Sequence, residues 1–381
     1  PGDHFPAVEI SRNLRPFAHA GPVNGYTSPE STTGYRESAM SLTTISRDPP
    51  YLLYLGDVAD DDHAKTGHGL AYWRPERCAG QMRFPDCPVD LGLPEMDVAE
   101  AVKAGVKTVI IGVAAVGGHI PDHWLPHLIQ FAQAGISIAA GMHTKLKKMP
   151  DLVAAAYRGG ATLIDVRVPP DNIPVGQGRP RSGKRVLTVG TDCAVGKKYT
   201  ALALHRELEQ RDIKTTFRAT GQTGIMIAGE GIPIDAVVSD FVSGAAEVLS
   251  PDNDDDHWDI IEGQGSLLNP SYSGVSLGLL HGSQPDAVIL CHDASRTEIL
   301  EVFGDYPIPE LDEVIDDALR FARRTRPHCF CAGVSVNTSS MTDFEREAYL
   351  GKMQDHLGIP CVDPVAMSMT PIANFLLKYA A

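Results

Sequence analysis

The sequence predicts an α/β protein of two domains, each built on a parallel sheet. Three observations carry that expectation. The chain has 381 residues, 43% of them apolar, which is enough to bury two ordinary cores. From Pro50 onward, short apolar runs ending in glycine or polar clusters alternate with stretches of helical periodicity, the pattern of parallel βαβ units. Near the middle, "VLTVGTDCAVGKK" joins a buried strand to a helix through a turn with the G-x-x-x-x-G-K spacing of a phosphate-binding loop.

Residues 1–40 lack sustained periodicity and are rich in Pro, Gly, Ser and Thr, so they are expected to form an extension, native or added, outside the functional unit. The first domain is expected over 41–178, with strands at 51–56, 106–112, 136–139 and 162–166 and helices near 95–104, 121–134 and 150–158. The Pro-, Gly- and Arg-rich stretch 167–184 reads as the interdomain connection. The second domain, 179–381, brings strands in "RVLTVG", "KTTFRAT", "DAVVSD", "WDIIEG", "DAVILCHD" and "CAGVSVNT". Ligands of open parallel sheets bind beyond the carboxyl ends of the strands. The clusters at 190–192, 220–224, 239–240, 262–266, 292–293 and 337–338 are therefore expected on one rim.

Composition narrows the function. A formal net charge of −15 argues against nucleic acid as partner, since phosphate backbones attract cationic surfaces. A polyanionic ligand must then be met by local Lys, Arg and helix N-termini. No apolar run approaches the roughly 18 residues of a membrane span, and the seven scattered cysteines fit neither a disulfide framework nor a zinc site. Reduced thiols in a cytoplasmic protein that handles a small molecule are the expectation.

The phosphate loop departs from its pattern at one position. Gly190, Thr191, Asp192, Cys193, Ala194, Val195, Gly196, Lys197, Lys198 and Tyr199 are expected to bind the cofactor, through backbone N–H groups, a helix N-terminus and lysine charge. A Ser or Thr after the loop lysine would hold magnesium, but Lys198 stands there, and an ammonium repels a metal. Thr200 could replace that hydroxyl only in a shifted register. Two lysines without magnesium suit the phosphates of coenzyme A.

The motifs "VGTDCAVGKKYTALAL", "FRATGQTGIMIAG", "SDFVSGAAE" and "IEGQGSLLNPSYSGVSLGLLHGSQPDAVILCH", with the earlier "LGDV", "WRPE" and "GQMRFP", resemble the D-glutamate N-acetyltransferase family over residues 50–375. The resemblance implies an N-terminal Rossmann-like domain followed by a P-loop NTPase-like domain similar to dethiobiotin synthetase. It further implies transfer of acetyl from acetyl-CoA to the amine of D-glutamate, upstream of an N-acetyl-D-glutamate racemase; a homo-oligomer is separately expected. "GTDCAVGK" and "IEGQGSLLNP" separately resemble dethiobiotin synthetase, an enzyme of ATP and magnesium with a loop Thr where Lys198 stands. A magnesium-dependent ATP ligase or kinase is therefore the rival enzyme, and a nucleotide-sensing regulator the rival without catalysis.

An amine attacks a thioester only after a base has taken its proton. Glu262, at the end of an apolar strand where burial would raise its pKa, and Asp240 are the candidate bases. Glu262 could instead be a magnesium-side acid, and Asp240 a helix N-cap. Turns 221–224 and 263–265 are candidates for oxyanion N–H donors, and Gln222 and Thr223 in the first are assigned to the substrate site. Arg218 and Arg296 are expected to bind the substrate carboxylates. Cys193, before a helix N-terminus, offers an acetyl-cysteine route beside direct transfer. His281 and His292 are weighed as proton relays, and His119, His123 and His127 as metal ligands disfavoured by Pro121 and Pro126.

Overall fold

The computed structural model describes residues 42–44, 49–61, 63–113, 118–300, 302 and 304–379. The expected extension, 1–40, lies outside them. The first half runs β1 (Thr43–Thr44), β2 (Tyr51–Gly56), α1 (Lys65–Trp73), β3 (Cys78–Arg83), α2 (Val98–Lys103), β4 (Thr108–Ile111), α3 (Leu125–Gln133), β5 (Ser137–Ala140), α4 (Pro150–Gly159) and β6 (Leu163–Asp165). The second half runs β7 (Lys184–Gly190), α5 (Lys197–Glu209), β8 (Thr215–Arg218), α6 (Gln222–Ala228), β9 (Glu230–Gly231), α7 (Val242–Leu249), β10 (Trp258–Ile261), α8 (Ser273–Ser283), β11 (Ala287–Asp293), α9 (Leu311–Ala322), β12 (Phe330–Asn337), α10 (Asp343–Leu357), β13 (Cys361–Val362) and α11 (Thr370–Tyr379).

A five-stranded sheet in the order β3-β2-β4-β5-β6 and a six-stranded sheet in the order β13-β12-β11-β7-β10-β8 form the two domains. Every pairing within them is parallel. Parallel sheets carry helices on both faces, so their strands are apolar throughout. All six residues of β2 are buried accordingly. In the second sheet β7 lies between β10 and β11, so the chain leaves it to one side first and to the other later. Its carboxyl end is a topological switch point, the place where such sheets bind ligands.

The two domains share a core. Leu70 and Trp73 of α1 join Ala201 and Leu202 of α5 and Ile225 and Ile227 of α6 in one buried apolar cluster. The Arg206 guanidinium caps this seam, 4.2 Å above the Trp73 ring. The stretch between the sheets is pinned rather than loose: Gln177 N and Gly178 N donate to Glu247, and Arg181 Nη1 donates to Glu247 O. Proline fixes its backbone, and the Glu247 side chain satisfies amides that no ladder pairs.

Two sequence expectations fail. "DAVVSD" is no strand: Ala236 N, Val237 N and Phe241 N donate to Pro233 O, Ile234 O and Val238 O, so local turns consume the amides a ladder needs. The helix α1 and strand β3 were missing from the expected elements. The glycines of "KTGHGLAYW" and the polar residues of "CAGQMR" dilute their periodicity, and it is contacts distant in sequence, at the seam and along β2, that hold them. The core also holds charge. Arg185, 2% exposed, donates to Ser250 Oγ and to the carbonyls of Ser182 and Pro251, and Ser250 Oγ donates to the buried Asp259.

Arg185→Met would remove the donors to Ser250 Oγ and Pro251 O and one of the cations near the buried Asp259, which keeps its pair with Arg218. A loss of about 3–5 kcal/mol in unfolding free energy is expected, to be read from urea denaturation.

Candidate active site at the domain seam

The phosphate loop is tied down before any ligand is considered. Asp192, 1% exposed, turns its carboxylate inward, accepting from Cys193 N at 2.7 Å, Asn269 Nδ2 at 3.0 Å, Leu300 N at 2.9 Å and Arg296 Nη1 at 3.3 Å. Thr191 Oγ1 lies 3.1 Å from His292 Nδ1, and Ser266 Oγ donates to Thr191 O. Lys197 is buried, its Nζ donates to Asp192 O at 2.7 Å, and burial pushes its pKa down. Ala194 holds a left-handed φ of +54°, a conformation that costs a non-glycine residue about 1–2 kcal/mol. The first amides of α5 have no intrahelical acceptor and remain available to an anion.

Lys198 does not join Lys197 there. Consecutive helical side chains diverge by about 100°, and Lys198 and Tyr199, the next two around the turn, both reach α1. A Cβ at Gly69 would stand 3.7 Å from Lys198 Nζ, and the Tyr199 ring packs 5.9 Å from that of Trp73. The expected paired ammoniums on one phosphate are thus corrected: Lys197 serves the loop, while Lys198 faces the seam. Thr200 offers no substitute hydroxyl, since its Oγ1 is buried against Ser335 Oγ at 2.7 Å.

Glu262 stands at the seam, 4% exposed, its Oε2 accepting from Thr220 N at 2.9 Å and Gly221 N at 3.0 Å. Burial raises its pKa, opposed by these amides and by the charge of Lys198. Burial likewise pushes Lys198 down to about 8, with Glu262 pulling it back up and Lys65 adding repulsion. Gly224 makes the arrangement possible: a Cβ there would lie 2.2 Å from Glu262 Oε2. Gln222 reaches across to the first domain, where a Cβ on Gly141, just past β5, would fall 1.9 Å from its Oε1. Thr223 Oγ1 and Thr66 Oγ1 meet at 2.8 Å. Gly263 links seam and loop, since a Cβ on it would lie 3.1 Å from Lys197 Cδ.

The other expected site residues lie elsewhere or are already engaged. Asp240 is exposed on a turn before α7, and neither it nor Phe241, the residue at the N-cap, supplies a side-chain cap. Arg218 donates Nε to Asp259 at 2.8 Å. Side chains alternate along a strand, so Asp259 shares a sheet face with Ile261, opposite the face of Ile260 and Glu262. Arg296 is engaged by Asp192 and donates to Cys193 O at 2.7 Å. The amides of Gly221 and Gly263 are also taken, the latter by Thr188 Oγ1. Among the histidines, His123 pairs with Asp57 and His119 with Thr144. None of the seven cysteines forms a disulfide, and no described helix is long and apolar enough to cross a membrane. Sequence reasoning missed Lys65 and Thr66, because α1 was not recognised.

The family model described as "Domain of unknown function (DUF1611_C) P-loop domain" matches residues 174–373, and its companion, the DUF1611_N Rossmann-like domain, matches 78–169. A protein of Tritonibacter scottomollicae named D-glutamate N-acetyltransferase is 51% identical over 315 residues, covering 83% of this chain and 94% of that protein. A Pseudoalteromonas protein of the same name is 44% identical over 317 residues, covering 83% and 95%. The crystal structure of a DUF1611 family protein from Anabaena variabilis superposes with a TM-score of 0.74 at 31% identity, covering 86% of this chain and 98% of that one.

Gly224→Ala is expected to destabilise the protein by about 1–3 kcal/mol through the clash with Glu262. In a Glu262→Ala background the same change should become neutral or favourable, because helical Ala is preferred to Gly by up to about 1 kcal/mol. A double-mutant cycle by chemical denaturation measures this coupling.

Proposed function

We propose that this chain, which belongs to the DUF1611 family of paired Rossmann-like and P-loop domains, transfers an acetyl group from acetyl-CoA to the amine of D-glutamate. Likeness to two proteins named for that acetylation, running through both domains, carries the reading. The geometry supports it with a base in the right kind of environment. An ammonium must lose a proton before it can attack, and a carboxylate whose pKa burial raises takes one more readily than an exposed glutamate.

In this reading Lys197 and the first amides of α5 hold the phosphates of the acetyl donor. The buried ammonium and the anion cradle around it fit such a group without a metal ligand. The substrate amine sits at Glu262, whose Oε2 is fixed by two amides. Glu262 takes one proton from the ammonium, the freed amine attacks the thioester carbonyl, and a C–N bond forms. The oxyanion is met by first-turn amides of α6, which have no intrahelical acceptors. It collapses with cleavage of the C–S bond, the amine's second proton is lost, and the thiolate leaves and is protonated. Lys198, with its pKa near 8, stabilises the ionised base. Cys193 is not required, since the amine attacks directly.

Incubation with acetyl-CoA and separate D- and L-amino acids, followed by thiol release, tests the reaction. Phosphate release from ATP and magnesium, with no thiol, would favour the ligase instead, and ligand binding without turnover would favour a sensor. The pH dependence has a definite sign. The base acts when unprotonated and its pKa is raised, so kcat/KM should climb through an acidic limb lying above the ordinary glutamate range. Glu262→Gln should abolish that limb and lower kcat about 10²–10⁴-fold. Lys198→Met should move the limb to higher pH, because the charge opposing protonation of Glu262 is gone.

A further inference from the structure

A glutamate substrate brings two carboxylates into a protein of net charge −15, so local cations must receive them. Arg218 and Arg296, the guanidinium groups expected to do so, are held by Asp259 and by Asp192. Near Glu262 the seam brings two other cations, one from each domain. Lys198 projects from α5 beside Glu262 and against Gly69. Lys65 is the first residue of α1, four positions before Gly69, and therefore shares its helix face. That face is the one in contact with the second domain. Thr66 bonds Thr223, and a Cβ on Gly69 would lie 3.1 Å from Thr223 Cγ2 and 3.5 Å from Ile227 Cδ1. Trp73, eight positions after Lys65, closes the same stripe against Tyr199. Lys65 is exposed, at the open end of the stripe, whereas Lys198 is half-buried beside the base.

We infer that Lys65 and Lys198 together recognise a dicarboxylic amino acid across the domain seam, Lys198 taking the carboxylate next to the reacting amine and Lys65 the side-chain carboxylate. This assignment rests on the proposed acetylation of D-glutamate and names the residues that select its side chain. The order follows from Glu262. The amine must reach that carboxylate, its own Cα carboxylate is one atom away, and Lys198 is the lysine whose charge acts on Glu262. The side-chain carboxylate, two methylenes further, extends toward the rim where α1 begins. A neutral side-chain amide placed there forfeits the ion pair.

Calorimetric titration of D-glutamate and D-glutamine into the full chain tests this. The unsubstituted protein should bind D-glutamate more tightly than D-glutamine. Lys65→Met should cut that preference about tenfold or more, the scale of one charged hydrogen bond, and Lys65→Arg should restore most of it. Lys198→Met should weaken both ligands, which keep the same Cα carboxylate. An unchanged thermal midpoint in Lys65→Met shows that the fold is intact. Equal binding of the two amino acids, no binding of D-glutamate, or a preference that survives Lys65→Met would each overturn the inference. Lys65-dependent binding of D-glutamate without acetylation would overturn the proposed reaction and leave the recognition standing. Turnover with the preference intact in Lys65→Met would do the reverse.

Discussion

The carboxylate of Glu262, held by the amides of Thr220 and Gly221 at the foot of α6, is the interaction on which the seam depends. A buried anion is tolerated only when paired and hydrogen-bonded. Here two backbone donors and the nearby Lys198 share that task. The same contact fixes the height of α6 above the sheet, because Gly224 lets the helix settle onto the carboxylate. From that position α6 can meet the first domain on its other side, through Gln222 at Gly141 and Thr223 at Thr66. One charged group thus positions α6 for the docking of the domains.

The phosphate loop solves a different problem with different residues. Its strained turn at Ala194 persists because Asp192 binds it to Asn269, Arg296 and Leu300 from later elements. Strain at such sites lasts only where surrounding contacts over-determine the backbone. Lys197 belongs to this unit through its bond to Asp192 O, whereas Lys198 lies at the seam against α1. Neighbours in sequence therefore serve separate sites, and the single residue Gly263 separates Glu262 from the contact with Lys197.

Much of the fold was legible because its signals are local. Each parallel strand is an apolar run, and the G-x-x-x-x-G-K turn carries its own strand and helix, so the sequence by itself determined the α/β class, most strands and the loop that begins α5. The burial of Glu262 was also readable, since it directly follows the apolar strand in "WDII". What stayed hidden depends on direction and distance. Whether Arg218 or Glu262 faces α5 is set by strand register against β10, whether Lys198 meets phosphate or α1 by the rotation of one helix, and Lys65 acquires significance only once α1 docks on α6. These are contacts between residues far apart in the chain, and only tertiary packing decides them, because periodicity reports how a segment is coiled and says nothing of which neighbour its faces will meet.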